Sequence, residues 1–316
     1  MPGSGATFSW AKSAARSAFV SATGGHSAQA GPARTKEINT YRIPQNCGTV
    51  RKNQVMLDPG ALYANLAPML PIRDHNPSER TPFVTYALIA ANIAVFIAYW
   101  PLFSDPRALG GFYDTWALFP ARVSTGVEYG GLFTSMFLHG GIMHLAGNML
   151  FLWIFGDNLE EEFGHWGFLG FYLLSGLGAG LVHVIADPAS TVPTVGASGA
   201  IAGVMGGYLL LFPKARVDIL LILIVIFRIF PVPAWLMLGI WFGLQLFNGV
   251  AADQAGGGVA YWAHAGGFII GFALVIPIWL RRGGPAYWNR TEGHPPHPEA
   301  KYKTVRTSVP NVRRNR

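Results

Sequence analysis

Charge is scarce in this chain. Only 12% of its 316 residues are charged and 51% are apolar, against about a quarter charged in a soluble domain, so an ordinary water-soluble globule is excluded. Cysteine is nearly missing as well: Cys47 stands alone in a polar N-terminal stretch, which rules out an internal disulfide framework. No HExxH pattern occurs, and the histidines of the apolar runs' polar clusters, His139, His144 and His264, have no acidic residue near them in sequence. No metal-ligand set is therefore read, and no metal or cofactor is expected. An internal repeat of the kind found in many solute transporters is also lacking. The net charge of +7 comes from the ends, because 18 of the 23 Lys and Arg lie outside residues 81–280. With no basic face interleaved with aromatics in that interior, nucleic acid is not an expected partner.

What the sequence does have is long apolar runs. About 20 apolar residues are needed to cross about 30 Å of hydrocarbon. Charge-free stretches at Pro82–Phe103, Gly130–Gly156, Trp166–Ala186, Pro188–Pro213, Ile229–Ala252 and Gln254–Leu280 read as six transmembrane helices. The fold class expected is all-α, a polytopic six-helix membrane bundle over residues 82–281. Residues 1–68, rich in Gly, Ser and Ala, read as a disordered tail or start-site extension, with Met69 as a candidate natural start. Residues 69–81 are a juxtamembrane segment, and 282–316 a basic, solvated C-terminal tail.

Positive charge near the helix ends sets the orientation. Arg73 and Arg80 before the first run, Lys214 and Arg216 after the fourth, and Arg281 and Arg282 after the sixth place both termini in the cytoplasm, and the expected location is a bacterial inner membrane. Glu160, Glu161 and Glu162 read as a solvated helix end.

Polar and reactive groups at membrane depth are candidates for function because burying them is costly. Three clusters interrupt the apolar runs: His139–Asn148 entering the second, Gly196–Ala200 opening the fourth, and Ala263–Gly267 opening the sixth. In an alternating topology all three lie toward one external face. A serine hydroxyl becomes nucleophilic when a histidine can take its proton, which suits Ser198 and His264. His144 and Asn148, spaced i, i+4, share a helix face and can donate to a developing oxyanion, as can the Ser198 backbone N–H at a helix start. Gly196 and Gly199 give the serine a flexible, open backbone. Gly267 and Gly271 allow the sixth helix to approach the fourth closely. His139 and His183 read as structural.

The segments HGGIMHLAGN, GASGA and AHAGGFIIG, in this order and at these helix starts, resemble the rhomboid family of intramembrane proteases over about Pro82 to Leu280. The resemblance implies a six-helix fold with a water-accessible external cavity and a Ser–His dyad without a third carboxylate. It implies cleavage of single-span transmembrane proteins, with membrane lipid as the other contact; the oligomeric state is not read. By the same resemblance Ser198 is nucleophile, His264 base, His144 and Asn148 oxyanion donors, and His139 a brace for the first loop. A non-catalytic rhomboid-like factor that binds membrane proteins is the alternative. Gly130-Gly131 stand where many members have Trp-Arg, and Ala202 where some have an aromatic stacked on the base, so another group must orient His264.

Overall fold

The computed structural model describes residues 69–223, 226–251, 259–296, 298 and 300–302. The expected N-terminal tail, Cys47, and the residues of the sixth apolar run before Val259 lie outside them. Eight helices of seven residues or more are described: α1 (Phe83–Tyr99), α2 (Pro106–Trp116), α3 (Ile142–Phe163), α4 (His165–Ala186), α5 (Ser198–Leu211), α6 (Ala234–Ala251), α7 (Tyr261–Arg281) and α8 (Pro285–Thr291).

Four segments are long and apolar enough to cross a membrane: Phe83–Ser104, α4, α6 and α7. A fifth is obtained if the helical turns at Gly131–Phe137 and α3 are one span bent by 92°. The chain is thus a mostly helical, integral membrane protein. The run at Pro188–Pro213 does not form one long helix. Pro188 and Pro193 fall in irregular backbone, and only the 14 residues of α5 are helical, about 21 Å of rise. Nearly every residue of α5 is buried, so it is the central element, packed against α3, α4 and α7.

The expectation of an all-α chain needs correction. Strands β1 (Met69–Asp74), β2 (Arg216–Leu223) and β3 (Ile226–Pro233) form an antiparallel sheet in the order β1-β2-β3, with Leu70 opposite Leu220 and Asp218 opposite Pro231. The residues Ile229–Pro233, read as the start of the fifth helix, belong to edge strand β3, where Pro231 and Pro233 are tolerated; the helix starts at Ala234. Arg73 Nε and His75 Nε2 donate to the two oxygens of buried Asp218 at 2.7 and 2.8 Å. Burial alone would raise this carboxyl, but the two donors hold it below the usual carboxylate range. The C-terminal segment also begins with order: in α8, Tyr287 is buried and Trp288 Nε1 donates to the Leu210 carbonyl at 2.9 Å.

Glu160–Glu162 are not a solvated end. Glu160 is buried and accepts from the backbone N–H of Val84 (2.8 Å) and Thr85 (2.7 Å), from Thr85 Oγ1 (2.8 Å) and from His165 Nδ1 (2.5 Å). It satisfies the open N–H groups of the first turn of α1, where no local side chain caps the helix. Glu161 accepts from Glu79 N, and Glu162 pairs with Arg282 at the end of α7. Glu160→Ala is expected to cost about 3 kcal/mol, since it strips several buried donors of their acceptor at once. Thermal unfolding in detergent checks this, with Glu161→Ala as the mild control.

Small residues let α5 and α7 touch backbone to backbone. A Cβ added at Gly267 would overlap the Gly199 carbonyl, and one at Gly271 the backbone of Gly203. This contact fixes the start of α7, which carries His264, beside the start of α5, which carries Ser198.

Candidate active site

α5 begins at Ser198, so its hydroxyl lies at the first helical turn, at the floor of a cavity of about 660 Å³. The cavity is lined by Ser198, His264, His144, Asn148, His183 and Trp241, among others. Ser198, His264 and His144 are half-buried. The Nε2 of His264 lies 2.7 Å from Ser198 Oγ, a hydrogen-bonding distance between residues 66 positions apart in sequence. The other ring nitrogen, Nδ1, is 2.9 Å from Gln245 Oε1 on α6, and the Trp241 ring lies against the imidazole, 5.8 Å between centroids at 31°.

α3 contributes His144 and Asn148 to the lining. The backbone N–H of Gly140 donates to His144 Nδ1 at 3.2 Å, so a neutral imidazole there carries its proton on Nε2. That nitrogen and the serine hydroxyl flank the same glycine: a Cβ built on Gly196 would lie 2.9 Å from His144 Nε2 and 3.3 Å from Ser198 Oγ. Gly196 has φ +136°, a conformation open to glycine and poor for residues with a Cβ. Here the glycine is needed twice, for its dihedral and for its lack of bulk between His144 and Ser198. Asn148 is buried, lines the cavity, and its Nδ2 is a buried donor with no partner among the described residues.

The remaining sequence-derived residues take supporting places. His139 is fully buried outside the cavity lining, its ring edge-on to His144 at 5.2 Å. Its backbone N–H donates to the Tyr99 hydroxyl at 2.7 Å, while its carbonyl accepts from Tyr99 at 2.8 Å and Tyr113 at 3.1 Å. The segment ahead of α3 is thereby tied to α1 and α2. Gly199, Gly267 and Gly271 lie in the α5–α7 contact. His183 shares a hydrogen bond with Thr194 Oγ1 at 3.0 Å on the cavity rim.

Gln245 was not among the sequence candidates. A lone amide in the apolar run Trp235–Phe247 has no motif around it, and its only signal was its cost: a polar side chain in an otherwise apolar membrane helix calls for a partner.

The arrangement offers a hydroxyl, a base in contact with it, and donors across a cavity, the parts of acyl-transfer chemistry. The chain is also similar to known proteins. Rhomboid protein 1, mitochondrial, of Saccharomyces cerevisiae is 32% identical over 197 residues, 60% of this chain and 51% of the yeast protein. RHOMBOID-like protein 6, mitochondrial, of Arabidopsis thaliana is 33% identical over 157 residues, 48% of this chain and 50% of that protein. Rhomboid protease GluP of Bacillus subtilis is 30% identical over 216 residues, 64% of this chain and 36% of that protein. The chain thus spans about half the length, or less, of these curated relatives. Residues 127–281 match the Rhomboid domain, and with these relatives beside that match, the chain belongs to the rhomboid family.

Proposed function

We propose that this chain is an intramembrane serine endopeptidase that hydrolyses peptide bonds of single-span transmembrane proteins near the external membrane face. The observation that carries the reading is the 2.7 Å contact of His264 Nε2 with Ser198 Oγ inside a cavity of an apolar bundle that also takes in His144, Asn148 and His183. Ser198 attacks the scissile carbonyl carbon while His264 takes the hydroxyl proton; His264 then returns it to the leaving amine, and water repeats the cycle on the acyl-enzyme. Negative charge on the carbonyl oxygen is met by His144 Nε2–H, Asn148 Nδ2 and the backbone N–H of Ser198, donors of a kind worth about 3–4 kcal/mol each where preorganised. One relative, from Bacillus subtilis, is itself named a protease, which supports the class of reaction.

Six spans are part of this proposal: α1, the bent α3 segment, α4, α5, α6 and α7, with both termini cytoplasmic by the positive-charge rule. α5 is about 9 Å short of the hydrocarbon thickness, a shortfall that water entering the cavity at Ser198 would make up. Both mitochondrial and bacterial proteins occur among the relatives, so likeness assigns the chain to a membrane without favouring the bacterial one.

The proposed site also bears on which substrates would be cut. A peptide bond in a stable helix is shielded and hydrogen-bonded, and unwinding it in lipid exposes groups costing several kcal/mol each. Only a helix that unwinds readily into a polar cavity can present its backbone to Ser198. Substrates with Gly, Ser or Pro in the outer part of the span, and a small residue before the cut, should be cleaved. Changing those residues to Leu should slow cleavage about tenfold or more, with chelators leaving the rate unaltered. The assay is cleavage of a single-span series in liposomes with the cuts mapped by mass spectrometry. Cuts at the cytoplasmic boundary, or equal cleavage of an all-Leu span, would contradict the proposal.

A further inference from the structure

Gln245 is buried on α6, one turn after Trp241, and its Nε2 donates to the Trp241 carbonyl at 3.3 Å. A carbonyl oxygen can only accept, so that contact turns the amide NH₂ toward α6 and leaves Oε1 facing away from its own helix. Oε1 then lies 2.9 Å from His264 Nδ1. An oxygen acceptor at that distance requires an N–H on Nδ1, and a neutral imidazole has only one. Nε2, 2.7 Å from Ser198 Oγ, therefore carries the lone pair. The chain of contacts from Trp241 carbonyl to Gln245 amide to His264 ring to Ser198 hydroxyl has one consistent set of proton positions, and it is the set a base needs.

We propose that Gln245 is a positioning residue for the base: its side-chain oxygen fixes the proton of His264 on Nδ1 and aims Nε2 at Ser198. The inference rests on the Ser198–His264 reading and adds to it the group that orients the histidine where Ala202 provides only a methyl. No carboxylate takes that place among the described residues, since the ring nitrogens of His264 contact Gln245 Oε1 and Ser198 Oγ. Trp241 restricts ring rotation from the same helix, so α6 holds the base on two sides. A neutral amide also suits both protonation states: it accepts from Nδ1–H before proton transfer and continues to accept from the imidazolium afterwards.

The test uses the full chain in liposomes, comparing Gln245→Leu and Gln245→Met, which fill the space without an acceptor, with Gln245→Glu, which keeps an oxygen there. The apolar variants should lose about 10- to 100-fold in kcat, part of the roughly 10²- to 10⁴-fold that general-base catalysis supplies, with KM within about twofold of wild type. Gln245→Glu should recover to within about fivefold of the wild-type kcat. Wild-type kcat in either apolar variant, a loss confined to KM, or equal slowness in Leu, Met and Glu, whether from misfolding or not, overturns the proposal. Ser198→Ala, run alongside, separates the two readings. If it still cleaves, the dyad itself fails; if it is inactive while Gln245→Leu keeps full kcat, only the positioning role fails.

Discussion

Ser198→Ala, His264→Ala and the double variant should all cleave a single-span substrate at one common residual rate, about 10³-fold or more below wild type. In the proposed dyad the base contributes only through the nucleophile it activates, so once either is gone the other has nothing left to contribute. Independent contributions would instead multiply, making the double variant slower than either single one. The 2.7 Å contact is the physical reason for expecting a shared effect. Its removal should be mild for the fold, since each substitution shortens a side chain that lines a cavity and leaves the α5–α7 backbone contact in place. Measured rates for all three proteins at matched unfolding temperature decide the matter. A double variant at the product of the single losses would show that the two residues act separately.

Gly271→Leu should remove both fold and activity. The position faces the backbone of Gly203 so closely that even a Cβ has no room, and backbone cannot rotate aside as a side chain can. α7 must then move away from α5, at a cost of about 3 kcal/mol or more. Gly271→Ala should keep a folded protein at lower unfolding temperature, yet with cleavage reduced about 100-fold, because displacing the base by about 1 Å forfeits that much. The contrast is Gly239 on α6, where nothing lies within 4 Å of an added Cβ; Gly239→Ala should leave unfolding temperature unchanged or raised. Unfolding temperature and cleavage rate, measured together across these variants, check the argument. An unperturbed Gly271→Ala protein would refute the close approach.

The features legible in the sequence are those that depend on local composition or fixed spacing. The apolar runs forecast membrane helices, and the polar clusters at His139–Asn148, Ser198 and His264 fall at helix entries that share one cavity. What escaped depends on partners far along the chain. Ile229–Pro233 is apolar enough to continue into α6, and only the pairing of β3 with Arg216–Leu223 makes it a strand; a short apolar run does not reveal which it will be. Glu160 looks like a surface residue until α1 places its first N–H groups against it. Gln245 becomes legible only once α6 and α7 are side by side, because its chemistry lies in the tautomer of a residue 19 positions away. The run at Pro188–Pro213 is helical only from Ser198 because Gly196, at φ +136°, stands outside helical backbone, and the apolar composition of the run conceals that.

The most direct test of the central claim is covalent. A fluorophosphonate, which transfers its phosphonyl group to an activated serine oxygen with release of fluoride, should modify the full chain in liposomes at one residue. Peptide mass spectrometry should place the adduct on Ser198, with cleavage lost in step with labelling and labelling slowed in His264→Ala. An adduct on a different residue, or undiminished cleavage by a folded Ser198→Ala protein, would contradict the account.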